Sequence, residues 1–552
     1  MNGRDMASDY FDLGSYGAAI TTSSPQAQTW FNRGLVLCYA FNHQEAHECF
    51  SLALAADPGC AIAYWGKAFV LGCNYNKPWI AFDPDDAARS ISEAFDATQK
   101  AMELRKGVSQ FERLLIEALP YRYQAGAARD DLDRWNDDFA TAMRKAYAQA
   151  PDNLDIAAVF AEAMMNRTPW QLWDIKAGRI ADGADTQEIL DVLDKALASG
   201  GMTHPGILHM YIHAMEMSPH PERALPAANA LRNLVPDAGH LNHMPSHIDV
   251  LVGDYVSAID SNTAGIEADT RFLAKRGPLN FYTLYRCHNY HFKIYGAMFA
   301  GQYETAITTA DAMLATLPEE LLRVESPPMA DWLEGFVSVK QHVMVRFGRW
   351  NEIIAQELPA DQNLFSVTTA MMWYAKAVAH GVLGNVAEAK ACAAEFDDAL
   401  ARVQESRYLF NNRCIDILAV AREMMLGEIT YREQLYSQAF EHLRNAVALD
   451  DALPYDEPWG WMQPARHALG ALMLEQGHVA ESLAVYEADL GLNDSLPRAC
   501  QHPDNIWSLK GYHECLQKLG RTQEAEAVRA KIETLEKTSD VSIKFSCFCR
   551  KK

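Results

Sequence analysis

Nine of the eighteen histidines in this chain fall between His204 and His291, and six of them form three closely spaced pairs. The pairs are His209/His213, His243/His247 and His288/His291. At a spacing of three or four residues, both members of a pair lie on one face of a helix. Because histidine is the commonest metal ligand among side chains, the spacing predicts a functional site, with metal binding as the first hypothesis.

The residue types favour some metals over others but leave the chemistry open. A histidine-rich set with few carboxylates and no thiolates is typical of copper or iron, with zinc or manganese as alternatives, and not of calcium or magnesium. Glu216 follows His213 by three residues and is predicted to act as a further ligand or as a general base. Tyr295 is predicted to orient a substrate or a metal-bound oxygen, with a packing role as the alternative. Two other readings remain: a metal-free proton-relay or anion-binding groove, and structural histidines that bond neighbouring helices.

The elements that must position these side chains are helices. Apolar residues recur at helical spacing through most of the chain, and strand patterns are nearly absent. The first clear unit is marked by a pattern of aromatic, small and proline residues: Trp30, Gly34, Ala46, Phe50, Ala53 and Pro58. This pattern resembles the tetratricopeptide repeat, a helix–turn–helix of 34 residues. The resemblance implies two antiparallel helices that approach closely at the small residues, with Pro58 just beyond the second helix.

Weaker copies of this unit are marked by a glycine between its two helices, which we call helix A and helix B. These glycines, predicted as helix C-caps, are Gly253, Gly301, Gly348, Gly384, Gly477 and Gly520. The pattern predicts an all-α array of degenerate tetratricopeptide-like repeats, stacked as an α-solenoid superhelix. We expect an N-terminal extension (1–26), the array (27–535) with histidine-rich central repeats (204–316), and a flexible tail (536–552).

The repeat register aligns the three histidine pairs. His209, His243 and His291 each precede a helix-B alanine (Ala224, Ala258 and Ala306) by fifteen residues. His213 and His247 precede theirs by eleven, and Tyr295 holds that position in the third repeat. We therefore expect the pairs to face one groove from three successive A helices.

Several histidines fit this register poorly. Pro245 interrupts the middle repeat, so its helix is expected to begin near Met244, which weakens the placement of His243. His204, His220 and His240 are interpreted as loop or cap residues. His467 occupies an equivalent position but is alone, and we exclude it from the predicted site.

Composition narrows the function classes. With a net charge of −23, the chain is not expected to bind nucleic acid. No long apolar run or N-terminal signal pattern predicts a membrane span or secretion. Eleven scattered cysteines without a C-x-x-C pair indicate reduced thiols in a cytoplasmic protein. Cys547 and Cys549 lie beside basic residues at the C-terminus, where either S-acylation or a disordered end is possible.

Three aromatic segments interrupt the repeats. They are 74–79, 168–173 and 455–461, and we expect them either to close over a groove or to cap the ends of repeats.

Most of the chain also resembles large tetratricopeptide-like proteins of bacteria and fungi, through segments such as AGHLNHMPSHI and YDEPWGWMQPARHALG. That resemblance supports the fold and implies no particular reaction. Nucleotide-binding loops and serine-hydrolase elbows are missing from the sequence. We therefore expect a metal-dependent enzyme acting on a small molecule, with oxidation preferred over hydrolysis. The alternative is a non-catalytic scaffold that binds a protein partner through the repeat groove.

Overall fold

A computed structural model describes residues 10–127 and 130–551, and nearly all regular structure in them is helical. The α-helices of the first half are α1 (Pro25–Tyr39), α2 (His43–Ala56), α3 (Ala61–Leu71), α4 (Pro84–Leu104), α5 (Gln110–Ala118), α6 (Leu132–Gln149), α7 (Leu154–Met165), α8 (Thr186–Ala198), α9 (Pro205–Glu216), α10 (Leu225–Leu231), α11 (Gly239–His243), α12 (Pro245–Leu251) and α13 (Tyr255–Arg276). Those of the second half are α14 (Thr283–Ala300), α15 (Tyr303–Ala315), α16 (Glu319–Leu322), α17 (Met329–Val337), α18 (Val339–Arg346), α19 (Trp350–Ala355), α20 (Ser366–Leu383), α21 (Val386–Leu400), α22 (Cys414–Arg432), α23 (Tyr436–Ala452), α24 (Ala465–Glu475), α25 (Val479–Asp489), α26 (Ile506–Lys518) and α27 (Thr522–Leu535).

Strands in the described residues are limited to two small antiparallel pairs. β1 (Trp173–Asp174) pairs with β2 (Arg179–Ile180), and β3 (Tyr408–Leu409) pairs with β4 (Asn412–Arg413). Short 3₁₀ turns occupy Trp79–Ala81, Leu119–Tyr121, Gly201–Thr203, Pro221–Ala224 and Arg498–Cys500. The predicted all-α fold is confirmed.

Helices pack on the next helix along the chain and, in several places, on the one after that. Examples of the first kind are α1 with α2, α20 with α21 and α22 with α23, and of the second kind α20 with α22 and α24 with α26. This is the stacking of a helical-repeat array, in which each hairpin buries its apolar face against its neighbours.

The first repeat shows how small residues allow this packing. Phe50 on α2 is fully buried between two glycines. A Cβ at Gly34 would lie 2.7 Å from the Phe50 ring, and a Cβ at Gly66 would lie 2.5 Å from it. Glycine at both positions therefore lets α1 and α3 close over one aromatic side chain. α2 ends at Ala56, two residues before Pro58, as predicted.

Glycines end the A helices as the repeat pattern predicts. Each takes a positive φ, between +65° and +91°, in the turn that leads to helix B. These residues are Gly253, Gly301, Gly348, Gly384, Gly477 and Gly520. The helix-B alanines used as register markers, Ala224, Ala258 and Ala306, are fully buried.

The chain divides into two compact units. The first comprises residues 1–248 and 263–286, and the second comprises residues 249–262 and 287–552. Within the first unit, α1 packs on α9 as well as on α2 and α3. This contact between helices distant in the sequence is the one that shapes the candidate site.

The middle repeat differs from the prediction at its first helix. We expected that helix to begin near Met244, but α11 begins at Gly239 and ends at His243. α12 then begins at Pro245, whose missing N–H and fixed φ suit a first helical position. His240, predicted to be a loop or cap residue, therefore lies on a helix with His243.

The C-terminal residues 539–551, part of the predicted flexible tail, follow α27 and lie against helices of the second unit. Cys547 and Cys549 form a disulfide there. The expectation of reduced thiols throughout is wrong for this pair, while the other nine cysteines are buried and free. None of the described helices has both the length and the apolar character needed to cross a membrane.

Candidate metal centre

Three helices of the first unit carry the histidines of the candidate centre. α9 contributes His209, His213 and, as its last residue, Glu216. α11 contributes His240 and His243, and α12 contributes His247. Of these three, His243 and His247 were predicted from the sequence and His240 was not. All six side chains are at most 4% exposed. α9 is well defined at its start, because the His204 ring accepts a hydrogen bond from the Ile207 N–H as an N-cap and Pro205 follows it.

The orientation of His209 is fixed by the main chain at the end of α1. Its Nδ1 lies 2.6 Å from the carbonyl oxygen of Tyr39. Because a carbonyl oxygen can only accept, Nδ1 carries the proton and donates it. Nε2 of His209 is then the nitrogen with the free lone pair, and it is buried without a hydrogen-bond partner among the described residues.

Glu216 holds two further histidines in the same tautomer. Its Oε1 lies 3.0 Å from Nδ1 of His213, and its Oε2 lies 2.7 Å from Nδ1 of His247. A carboxylate between two imidazoles accepts from both, so the proton of each ring lies on Nδ1. Nε2 of His247 then accepts from Nε2 of His243, 2.8 Å away. The result is a hydrogen-bonded chain from His243 through His247 and Glu216 to His213.

The free nitrogens of α9 lie near a third imidazole. Nε2 of His213 is buried and, like that of His209, has no hydrogen-bond partner in the described part of the chain. His209, His213 and His240 each offer a ring nitrogen, and the three nitrogens lie within 4.8 Å of one another. Three convergent imidazoles match the protein ligand set of many transition-metal sites.

Burial favours the neutral form of the His209 and His213 rings. Burial lowers the pKa of His209 well below its usual value, and the neighbouring His213 lowers it further. Burial and the nearby His247 lower the pKa of His213 in the same way. Since only a neutral imidazole offers a lone pair to a metal, both side chains are prepared for ligation at neutral pH.

Aromatic rings enclose the three histidines. The Phe41 ring centroid lies 4.5 Å from that of His209, and Tyr285 lies 4.7 Å from His240. Tyr75 lies 5.0 Å from His213, and Trp170 lies 5.9 Å from it. Tyr75 and Trp170 belong to two of the aromatic segments noted in the sequence, so within the first unit these segments cover the histidines.

Two of these aromatic residues have unusual backbone conformations. Phe41 has a φ of +54° and Trp170 has a φ of +59°. Such left-handed conformations cost about 1–3 kcal/mol for a residue with a side chain and occur often at functional sites. The fold therefore tolerates a backbone cost in order to place these rings against the histidines.

His240 is the centre residue that the sequence interpretation missed. It precedes His243 by three residues and His247 by seven, which is the spacing of a single helix face. Its backbone N–H donates to the Tyr282 hydroxyl, 3.1 Å away. The expected helix start near Met244 hid this spacing.

The remaining predicted residues belong to the second unit. His288 packs against Phe410 at 4.7 Å between ring centroids, and His291 packs against Phe336 at 5.4 Å. Burial lowers the pKa of His291 to about 3, with a further contribution from His342. Tyr295 is buried, with ring contacts to Phe292 and Phe299. Burial also raises its pKa well above the usual value. The roles of these three residues in metal binding or catalysis stay predictions.

A second group of histidines surrounds the buried Asp489: His467 is buried, and His502 is partly exposed. Nε2 of His467 and Nδ1 of His502 each lie 2.9 Å from a different carboxylate oxygen. Asn505 and Ser508 donate to the same carboxylate at 2.9 and 2.6 Å. Arg346 donates to Nδ1 of His467 at 2.9 Å. Both ring nitrogens of His467 therefore have hydrogen-bond partners.

Comparison with known proteins agrees with the fold. Residues 27–60 match the family model of the tetratricopeptide repeat. This segment is similar to a tetratricopeptide repeat. The resemblance inferred from Trp30 to Pro58 is thus confirmed. A search of curated proteins gives no matching sequence.

Several solved structures are similar to the chain at low identity. The complex of Naa15/Naa10 bound to HypK shares 14% identity at a TM-score of 0.21, over 93% of this chain and 71% of that chain. The APC/C hetero-tetramer Cut9–Hcn1 shares 12% at 0.30, over 89% and 76%. A monomeric IFIT1 mutant with Gppp-AAAA shares 11% at 0.36, over 92% and 97%.

Proposed function

We propose that this tetratricopeptide-repeat protein binds a transition metal through His209, His213 and His240. The observation that carries the proposal is the pair of buried Nε2 atoms of His209 and His213, which lack hydrogen-bond partners in the described part of the chain. A buried polar atom without a partner costs about 1–3 kcal/mol. A bound metal ion would remove this cost at both histidines.

The surroundings support the same assignment. Histidine ligands almost always donate their second ring N–H to a carbonyl or carboxylate, which fixes the tautomer and strengthens the ligand. Tyr39 supplies such a carbonyl to His209, and Glu216 supplies such a carboxylate to His213. Metal–nitrogen bonds of about 2.0–2.1 Å require the three nitrogens to approach by small rotations of the rings.

We further propose that the bound metal serves a reaction on a small molecule. Three ligands leave coordination positions open, and a bound copper or iron ion would supply oxidation chemistry there, whereas zinc would favour hydrolysis. We prefer oxidation because the donor set consists of nitrogen. Tyr75 and Trp170 cover His213, so the loops that carry them would have to open to admit a substrate. After closing again, they would exclude water from the site. Glu216 would position His213 and His247 within this site.

Metal analysis of protein produced without a histidine tag tests the proposal. We expect about one equivalent of a transition metal, with a visible absorption band for copper or iron. His209→Ala and His213→Ala should each lower the bound metal at least tenfold while the helical circular dichroism is retained. His220→Ala is the matched control, because His220 is exposed, and it should leave the metal content unchanged. Metal-free protein that takes up no ion on titration with copper, iron, zinc or manganese would overturn the proposal.

A second candidate function is a scaffold that binds a protein partner. The tetratricopeptide repeat at residues 27–60 favours it. Under this alternative, a double change of His209 and His247 to alanine would leave partner binding intact. The metal hypothesis predicts that the same double change abolishes metal uptake.

A further inference from the structure

Residues 539–551 have the character of a bound peptide. They follow α27 without forming a helix or strand of their own. The residues that link them to α27, 536–538, are exposed. Several of their side chains are nevertheless buried against other parts of the second unit: Ile543, Ser546, Cys549 and Arg550. An extended segment with buried side chains and an exposed connection is the arrangement of a ligand on a receptor surface.

The segment begins at the turn between α14 and α15. The Ser539 hydroxyl donates to the Gly301 carbonyl oxygen at 2.9 Å. The Asp540 carboxylate accepts from the backbone N–H groups of Tyr303 and Glu304 at 2.6 and 2.9 Å. These N–H groups belong to the first turn of α15, where a negative charge is favoured by the helix dipole.

The middle of the segment contacts α24 to α26. The Ser546 hydroxyl donates to the carbonyl oxygen of His467 at 2.7 Å and lies 2.6 Å from the Tyr486 hydroxyl. The Phe548 ring packs edge-on against Trp507 at 5.8 Å between centroids. Ser546 and Phe548 therefore make separate contacts, Ser546 with α24 and α25 and Phe548 with α26.

The end of the segment is held by charge. Both terminal nitrogens of Arg550 donate to the Glu514 carboxylate, at 2.6 and 2.9 Å. Arg432 donates to the carbonyl oxygen of Cys549. Such two-point pairs between arginine and a carboxylate are directional as well as strong.

We propose that this surface of the second unit is a peptide-binding site, and that residues 539–551 of the chain are the ligand it holds. We call it the tail site. It recognises an acidic residue at the position of Asp540, a small hydroxyl residue at Ser546, an aromatic residue at Phe548 and an arginine at Arg550. The tail site does not involve the histidines of the first unit, so the proposal is independent of metal binding.

Cutting the connection in the folded protein tests whether the segment is a separable ligand. A protease site placed over residues 536–538 leaves the whole chain present but breaks its covalent link to the segment. We expect the cut segment to stay bound through gel filtration. Immediate loss of the cut wild-type segment would overturn the proposal.

The ion pair at the end of the segment gives the specific test. In the cut protein, Arg550→Glu should release the segment at least tenfold faster, because it places like charges together. Glu514→Arg combined with Arg550→Glu should restore retention. Lys544→Glu is the matched control, since Lys544 is exposed, and it should release at the wild-type rate. Equal release by the wild type and Arg550→Glu would overturn the proposal, and so would faster release by the Lys544→Glu control.

Rebinding completes the test. Cut protein emptied through Arg550→Glu should bind a labelled synthetic peptide of residues 539–552, prepared with the Cys547–Cys549 disulfide. We expect a dissociation constant of about 10 µM or tighter by fluorescence anisotropy. The same peptide with Arg550→Glu should bind at least tenfold more weakly. No binding of the wild-type peptide at about 100 µM would overturn the proposal.

Discussion

The histidines around Glu216 in the first unit and those around Asp489 in the second differ in how their hydrogen bonds are used. Glu216 accepts hydrogen bonds from the Nδ1–H groups of His213 and His247, while Nε2 of His213 has no partner in the described part of the chain. Asp489 accepts a hydrogen bond from Nε2–H of His467, whose Nδ1 accepts from Arg346. One group keeps a buried lone pair available, whereas the other uses both nitrogens of its central histidine.

This difference separates a candidate metal centre from a structural network. Burial and a neighbouring carboxylate are common to both groups, so neither feature identifies a metal site. Our proposal of a metal site rests instead on the buried Nε2 atoms of His209 and His213, which have no hydrogen-bond partner among the described residues. A buried network in which every donor has an acceptor stabilises the fold, because each polar group replaces the bonds it made with water.

Removing the charge of Asp489 should therefore produce the largest effect on stability. Asp489→Asn removes a carboxylate that accepts hydrogen bonds from His467, His502, Asn505 and Ser508, and the new amide nitrogen cannot accept. Each buried donor left without an acceptor costs about 1–3 kcal/mol. We expect earlier thermal unfolding, with faster hydrogen exchange in α24 to α26 and unchanged metal content. Asp494→Asn, at an exposed position, is the control. A variant as stable as the wild type would show that Asp489 does not hold this region together.

A pH series should show how much His467 contributes to stability. Burial lowers the pKa of His467 to about 4, against a partly opposing effect of Asp489. Arg346 can only donate, so Nδ1 of His467 must stay unprotonated in the folded protein. The unfolded chain binds this proton at a pKa near 6.5, so the contribution of His467 to stability falls as pH drops from about 6.5 towards 4, by about 3 kcal/mol.

The matched variants for this series are His467→Gln and His478→Gln. His467→Gln cannot titrate, so its unfolding free energy should vary less across this window than that of the wild type, measured by urea denaturation at each pH. His478 is exposed, and its replacement should leave the wild-type slope. An unchanged slope in His467→Gln would assign the acid sensitivity to other groups.

The features that could be predicted from the sequence involve residues close together in the chain. The first repeat, the glycine turns and the placement of His209 and His213 on one helix depend on residues a few positions apart. Helical spacing alone is enough to infer them. The same holds for His240, whose spacing to His243 and His247 is visible in the sequence although the repeat register does not include it.

What could not be predicted depends on contacts between distant segments. The Tyr39 carbonyl that orients His209 is 170 residues away in the sequence. The covering rings of Phe41, Tyr75 and Trp170 come from three further turns and loops. A repeat register places side chains on helices, but it does not say which helices of an irregular array pack together. The packing of α1 on α9 supplies that information.

Changing Glu216 to glutamine should have a smaller but more specific effect, on metal affinity. The glutamine oxygen can accept a hydrogen bond from one Nδ1–H group, but its amide nitrogen can only donate. The other histidine must then move its ring proton to Nε2 or lose its hydrogen bond to residue 216. If His213 moves its proton, its Nε2 can no longer bind a metal. Loss of such an orienting partner typically lowers affinity 10–100-fold, here measured by competition with a chromophoric chelator.

The control and the comparison of the two groups make this outcome decisive. Glu222→Gln, at an exposed position, should keep the wild-type metal affinity. Asp489→Asn should lower stability but leave metal affinity unchanged. Glu216→Gln should lower metal affinity more than it lowers stability. If Glu216→Gln binds metal as tightly as the wild type, the tautomer of His213 does not depend on this carboxylate. The unpartnered Nε2 atoms would then lose their main support as metal ligands, because the same ring could equally present a proton at that position.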